Sequence, residues 1–153
     1  MTSLGFYDGG GDGLTDRHEV GLWDGGGTLL TSAIVPSGTS ATLDQGFRWV
    51  DISPLLLSAG SYTIGSFGLV TSPDTFRFSV PTVTTAAGVF FGADHLFTAG
   101  ASLAMPTTAA GFAGFGYFGP NFQGDPVPEP ATLLLLGTGL GAVAARRRMK
   151  KRA

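Results

Sequence analysis

Glu19-Val-Gly-Leu-Trp23, then Asp24-Gly25-Gly26-Gly27, then Thr28-Leu-Leu-Thr-Ser-Ala-Ile-Val35: this stretch decides the fold class. Its two arms are rich in β-branched, aromatic and aliphatic residues, which fit a pleated, half-buried surface. Between them stand one aspartate and three glycines, residues that reverse a chain at little steric cost. The stretch therefore predicts a β-hairpin.

Outward from the hairpin the same alternation of strand and turn recurs. Strands are predicted at residues 2–7, 47–52, 61–70, 75–80, 88–91 and 116–122, with a short one at 55–57 before the turn at Ala59-Gly60. Residues 8–13, Asp-Gly-Gly-Gly-Asp-Gly, can only be loop. No part of the body carries a long 3.6-residue apolar period. The expected fold is all-β: an antiparallel β-sandwich or jelly-roll-like domain over residues 1–122. Abundant Gly, Thr, Ser and Phe agree with that, being poor helix material.

Charge divides the chain. Six of its nine basic residues lie in the last eight positions, while only Arg17, Arg48 and Arg77 precede Pro128, against ten acids. An acidic body without lysine argues against nucleic-acid binding, which needs a cationic footprint. With no cysteine, disulfide and thiol chemistry are excluded.

The C-terminal part reads differently. Residues 123–130, Gln-Gly-Asp-Pro-Val-Pro-Glu-Pro, form a linker whose prolines bar helix and ladder pairing. Residues 131–145 are uncharged and are followed directly by Arg146, Arg147 and Arg148. As a helix the run spans about 22 Å, short of the roughly 30 Å hydrocarbon core, and arginine and lysine stems extend it by snorkelling. A single transmembrane helix over residues 131–153, with its basic tail as the stop signal, is expected; six cations beside a buried core helix would be costly. Gly137 and Gly141 form a GxxxG pair, best explained by the general use of glycine in such segments.

Val127, Pro128, Glu129 and Pro130, then Ala-Thr-Leu-Leu-Leu-Leu-Gly137, then the terminal arginines, resemble the PEP-CTERM sorting signal of Gram-negative bacteria. The resemblance covers about residues 126–152. It implies recognition by exosortase, a membrane-embedded sorting enzyme, and a place in the cell envelope: anchored in the inner membrane through the C-terminus before processing, then at the surface or outside. Such proteins accompany exopolysaccharide and biofilm production. The chain would be the enzyme's substrate and not itself an enzyme.

The stretch from Leu4-Gly-Phe-Tyr-Asp to Val20-Gly-Leu-Trp23, with Gly46-Phe-Arg-Trp-Val-Asp-Ile52, Ala59-Gly-Ser-Tyr-Thr-Ile-Gly65 and Gly116-Tyr-Phe-Gly-Pro-Asn-Phe-Gln123, is similar to a DUF4082-like β-sandwich ectodomain of PEP-CTERM proteins. In that pattern a strand pair precedes the acidic loop, whereas here Met1 falls on the strand leading into it. Since the basic tail keeps the C-terminus cytoplasmic and the body outside, an export signal and a first strand or two are expected upstream of Met1.

The acidic loop is the most chemical part of the body. Asp8, Asp12, Gly13, Asp16 and Glu19 fall at positions 1, 5, 6, 9 and 12 of an EF-hand-type loop, and hard oxygen ligands with a glycine turn suit Ca²⁺. Gly10 at position 3 and Thr15 at position 8 depart from the pattern, and a solvated acidic turn is the competing reading.

A carbohydrate-active enzyme drawing carboxylate pairs from Asp8, Asp12, Asp16 and Asp24 is the alternative class. His18 and His95 are the only histidines, and His18, between Arg17 and Glu19, is expected at the surface. No nucleophile elbow, phosphate loop or zinc-spaced cluster is present. Phe90, Phe91, Phe112, Phe115, Tyr117 and Phe118 offer either core or a glycan-binding face, with core favoured for aromatics in strands.

Overall fold

The computed structural model describes residues 1–68, 73–74, 76–79, 85–86, 88–92, 96–97, 100–109 and 116–125. The described residues form strands and turns with no helix. In chain order the strands are β1 (Ser3–Tyr7), β2 (His18–Asp24), β3 (Leu29–Val35), β4 (Thr42–Asp44), β5 (Phe47–Asp51), β6 (Tyr62–Phe67), β7 (Arg77–Ser79), β8 (Leu96–Phe97), β9 (Thr108–Ala109), β10 (Gly116–Phe118) and β11 (Pro120–Gln123).

Two antiparallel sheets carry the body, in the orders β11-β1-β5-β4 and β3-β2-β6. They lie face to face, with β1 against β2 and β3, β5 against β3 and β11 against β6. Two smaller ribbons pair β10 with β7 and β8 with β9. Alternation explains the core. Leu4 and Phe6 point inward from β1, and Val20 and Val35 meet them from the other sheet, with Leu14 and Ala41 closing one end.

The outer faces use glycine to admit tryptophan. Gly5 lies opposite Trp49 in the pairing of β1 with β5. A Cβ on Gly5 would fall 2.5 Å from Trp49 Cε3, so the absent side chain is what lets the indole lie down on the sheet. On the other sheet Gly21 pairs with Gly65, and Trp23, Leu103 and Pro106 crowd that strip.

The predicted hairpin forms as β2 and β3. Asp24 Oδ1 accepts the amides of Gly26 and Thr28, both at 2.9 Å, which fixes the reversal. β4 and β5 form a tighter hairpin through Gln45 and Gly46, both at positive φ (49° and 80°). Two successive left-handed residues match the twist of antiparallel strands.

Several expectations are corrected. Residues 55–57 are not a strand. Residues 88–91 are not a strand; Val89 N donates to Ala86 O and Gly88 takes φ 80°, which turns the chain there. The strand expected at 116–122 breaks at Gly119 into β10 and β11, which join different sheets. Strands β4, β8 and β9 were not anticipated, being two or three residues long. No helix among the described residues is long and apolar enough to cross a membrane, and the run at 131–145 lies outside them.

Candidate functional site

The acidic loop leaves β1 at Tyr7 and enters β2 at His18. Its first carboxylate turns inward. Asp8 is buried, and its Oδ2 accepts Arg48 Nε at 2.8 Å and the Gly13 amide at 3.0 Å. Oδ1 accepts the Gly11 amide at 3.0 Å. Arg48, equally buried, spends its remaining donors on carbonyls: Nη1 on Thr39 and Ala41, Nη2 on Gly11. Both charges are thus compensated and most of their hydrogen-bonding capacity is used, as a buried ion pair requires.

A second clasp closes the far side of the loop. Asp74 Oδ1 accepts the Thr15 amide at 2.8 Å, and Oδ2 accepts the Asp16 amide at 2.9 Å. His18 Nε2 stands 2.9 Å from the same Oδ2. Burial pushes the Asp74 carboxyl up, but the amides of Asp16 and Thr15 and the His18 ring outweigh it and hold the pKa at about 2. His18 is 3% exposed and stacks flat on Phe6, ring centroids 3.6 Å apart. It is therefore a core histidine and not the surface residue expected from its charged neighbours.

The candidate ligand residues do not converge. Asp8 faces the interior with Arg48, while Asp12 is exposed at the rim. Asp16 is held through its backbone by Asp74. Glu19 lies on β2 one residue from His18 and shares the outward face of Gly21 and Trp23, opposite Ile34 and Phe67. Among the described residues no three His, Cys, Asp or Glu side chains group closely enough to hold a metal ion. A shallow polar depression lies over the loop, between Asp8, Asp12, Thr15 and Asp74.

Of the aromatic set, Phe90 and Phe91 are exposed, and Phe91 meets Phe118 at 5.7 Å. Phe112, Phe115 and His95 lie outside the described residues, as do Val127, Pro128, Glu129, Pro130, Arg146, Arg147 and Arg148.

Sequence reasoning missed Arg48 and Asp74. Arg48 carried a signal: it is one of three cations in an acidic body and sits between Phe47 and Trp49 in a strand. Its alternation places it on the side opposite those rings, toward the core. Asp74 carried none, since 56 residues separate it from His18.

These clasped groups hold the loop, and the comparison with known families that finds a match concerns the tail. Residues 126–148 match the PEP-CTERM protein-sorting motif. This PEP-CTERM signal marks the chain as an exosortase substrate and implies export to the cell envelope or surface. It covers the segment behind the β-rich body and leaves the body itself unassigned. No curated protein and no solved structure is significantly similar to the chain.

Proposed function

We propose that the chain is a non-catalytic component of the cell surface or extracellular matrix, delivered by exosortase and associated with exopolysaccharide. The carrying observation is the PEP-CTERM match at residues 126–148 behind an all-β body. The C-terminal run would hold the precursor in the inner membrane as a single helix until processing, with the body outside. A non-catalytic body is supported by the state of three of its carboxylates. Asp8 is neutralised by Arg48, Asp74 is held by His18 and two amides, and Asp24 holds a hairpin. A hydrolase needs a pair of carboxylates free to face a sugar.

Fractionation of cells that express the chain behind an export signal tests the reading. With exosortase present, the body should leave the inner membrane in a shortened form. Without exosortase, or with residues 127–130 replaced by alanines, the uncut chain should stay in the membrane. Identical size and fractionation in all three strains would overturn the assignment.

A further inference from the structure

The edges of the two main sheets are not equally finished. In the sheet β11-β1-β5-β4, β4 has three residues and carries Asp44, and β11 opens with Pro120. In the sheet β3-β2-β6, only Ser66 of β6 is exposed. The other edge strand, β3, has seven residues with neither proline nor charge, and the nearest charged residues along the chain are Asp24 and Asp44. Leu29, Leu30 and Ile34 are 47%, 36% and 52% exposed, and Ser32 is exposed between them. Alternate residues of an edge strand turn their N–H and C=O groups away from the sheet. β2 takes one side of β3, and among the described residues no strand or backbone group pairs with the other. The register shift is confined to the hairpin end, and Thr31–Val35 run in unbroken register with β2. Lysine, proline and bulges are the devices that blunt such an edge, and Thr31–Val35 carries none of them.

We infer that β3 is a dimerisation edge, which pairs antiparallel with β3 of a second copy about a two-fold axis at Ser32. A row of unpaired amides and carbonyls is filled by an extended strand, because only another backbone supplies donors and acceptors at the same spacing. Three features of β3 select its own copy as that strand. Self-pairing sets no like charges opposite one another, although the body before Pro128 has three arginines against ten acids. An axis at Ser32 sets Ile34 of each copy opposite Leu30 of the other, so the strand brings its own exposed aliphatic residues together. The contact is also isologous and therefore closes. Each β3 edge is used once, and two three-stranded sheets become one continuous sheet. Seven residues pair over about 23 Å. That is at the small end of specific interfaces, so the dimer dissociates in roughly the micromolar range.

The chain has no cysteine, so a single introduced thiol reports on a single position. The test uses the full chain in detergent micelles, which accommodate its uncharged run at residues 131–145. In the dimer, Ser32→Cys brings two Cα atoms to about 4.5–5.5 Å, inside the range of a disulfide. Thr42→Cys is the comparison, an exposed position on β4 at the edge of the other sheet. Under mild oxidation Ser32→Cys should form linked dimer at least about tenfold faster than Thr42→Cys, which corresponds to about 1.4 kcal/mol. Adding Ile34→Lys to Ser32→Cys should bring the rate down to that of Thr42→Cys, whereas adding Leu43→Lys, at a comparably exposed site on β4, should not. Equal rates for Ser32→Cys and Thr42→Cys overturn the pairing, because association through the C-terminal segment or chance encounter in a micelle favours neither position. A fast Ser32→Cys reaction that is indifferent to Ile34→Lys also overturns it.

Discussion

Arg48 Nε donates to Asp8 Oδ2 across 2.8 Å inside the body, and Arg48 Nη2 returns to the Gly11 carbonyl of the same loop. The strand β5 therefore holds the glycine-rich loop through one side chain. Its Nη1 bonds to Thr39 and Ala41 tie in the approach to β4 as well. A flexible Asp-Gly-Gly-Gly-Asp-Gly segment, costly to order, is given one conformation.

Arg48→Met should destabilise the protein by about 3–5 kcal/mol, because it strands a buried carboxylate. Asp8→Asn with Arg48→Met should cost less than the sum of the single changes. Urea unfolding of the four proteins measures this, and additive losses would show that the two groups do not interact.

Gly5→Ala should cost about 1–3 kcal/mol, since the new methyl meets the Trp49 ring at 2.5 Å in a packed face. Gly5→Ala with Trp49→Leu should recover part of that loss relative to Trp49→Leu alone. Thermal melts of the set check it; no recovery would mean that the alanine acts through the backbone.

Asp74 titrates at about 2 in the folded chain against an ordinary 3.8. Its folded value is depressed, so its contribution is fully present above pH 3.8 and is lost as pH falls toward about 2. That contribution is on the order of 1 kcal/mol after solvent screening. Asp74→Asn should lower stability at neutral pH and flatten the fall in stability across that acid window. Unfolding free energies measured from pH 7 to pH 2 test it, and parallel curves for the two proteins would refute the role.

Calcium should leave the melting temperature unchanged within about 1 °C at millimolar concentration, because a ligand must bind the native state to raise it. Both Asp8 oxygens already accept hydrogen bonds, one of them from a guanidinium. Melts in calcium and in chelator decide it. A rise of several degrees that vanishes in Asp12→Ala would instead place an ion at the rim of the loop.

Much of the fold was legible in the sequence because its strands obey local rules. The hairpin of β2 and β3 followed from strand formers around an Asp-Gly-Gly-Gly reversal, and β1 and β5 were placed to within a residue or two. The failures share a cause. Residues 88–91 look like a strand by composition, but a strand exists only where a ladder partner stands beside it, and Gly88 turns the chain instead. The split at Gly119 likewise depends on which sheet each half can reach. His18 was misjudged because its neighbours in sequence are charged, whereas its neighbours in space are Phe6 and Asp74.

The sequence by itself determined two things: an all-β body, and the sorting signal at residues 126–148. Both are written in contiguous residues, since strand propensity, turn chemistry and a linear recognition motif are local properties. Only the tertiary structure decided how the acidic loop is held. Asp8 meets Arg48 across 40 residues, and Asp74 meets the Thr15 and Asp16 amides across nearly 60. One carboxylate of the ligand-like spacing, Asp8, becomes a clasp because folding brings a guanidinium and two backbone amides to it. That pairing is set by the packing of two sheets, which no local stretch of residues encodes.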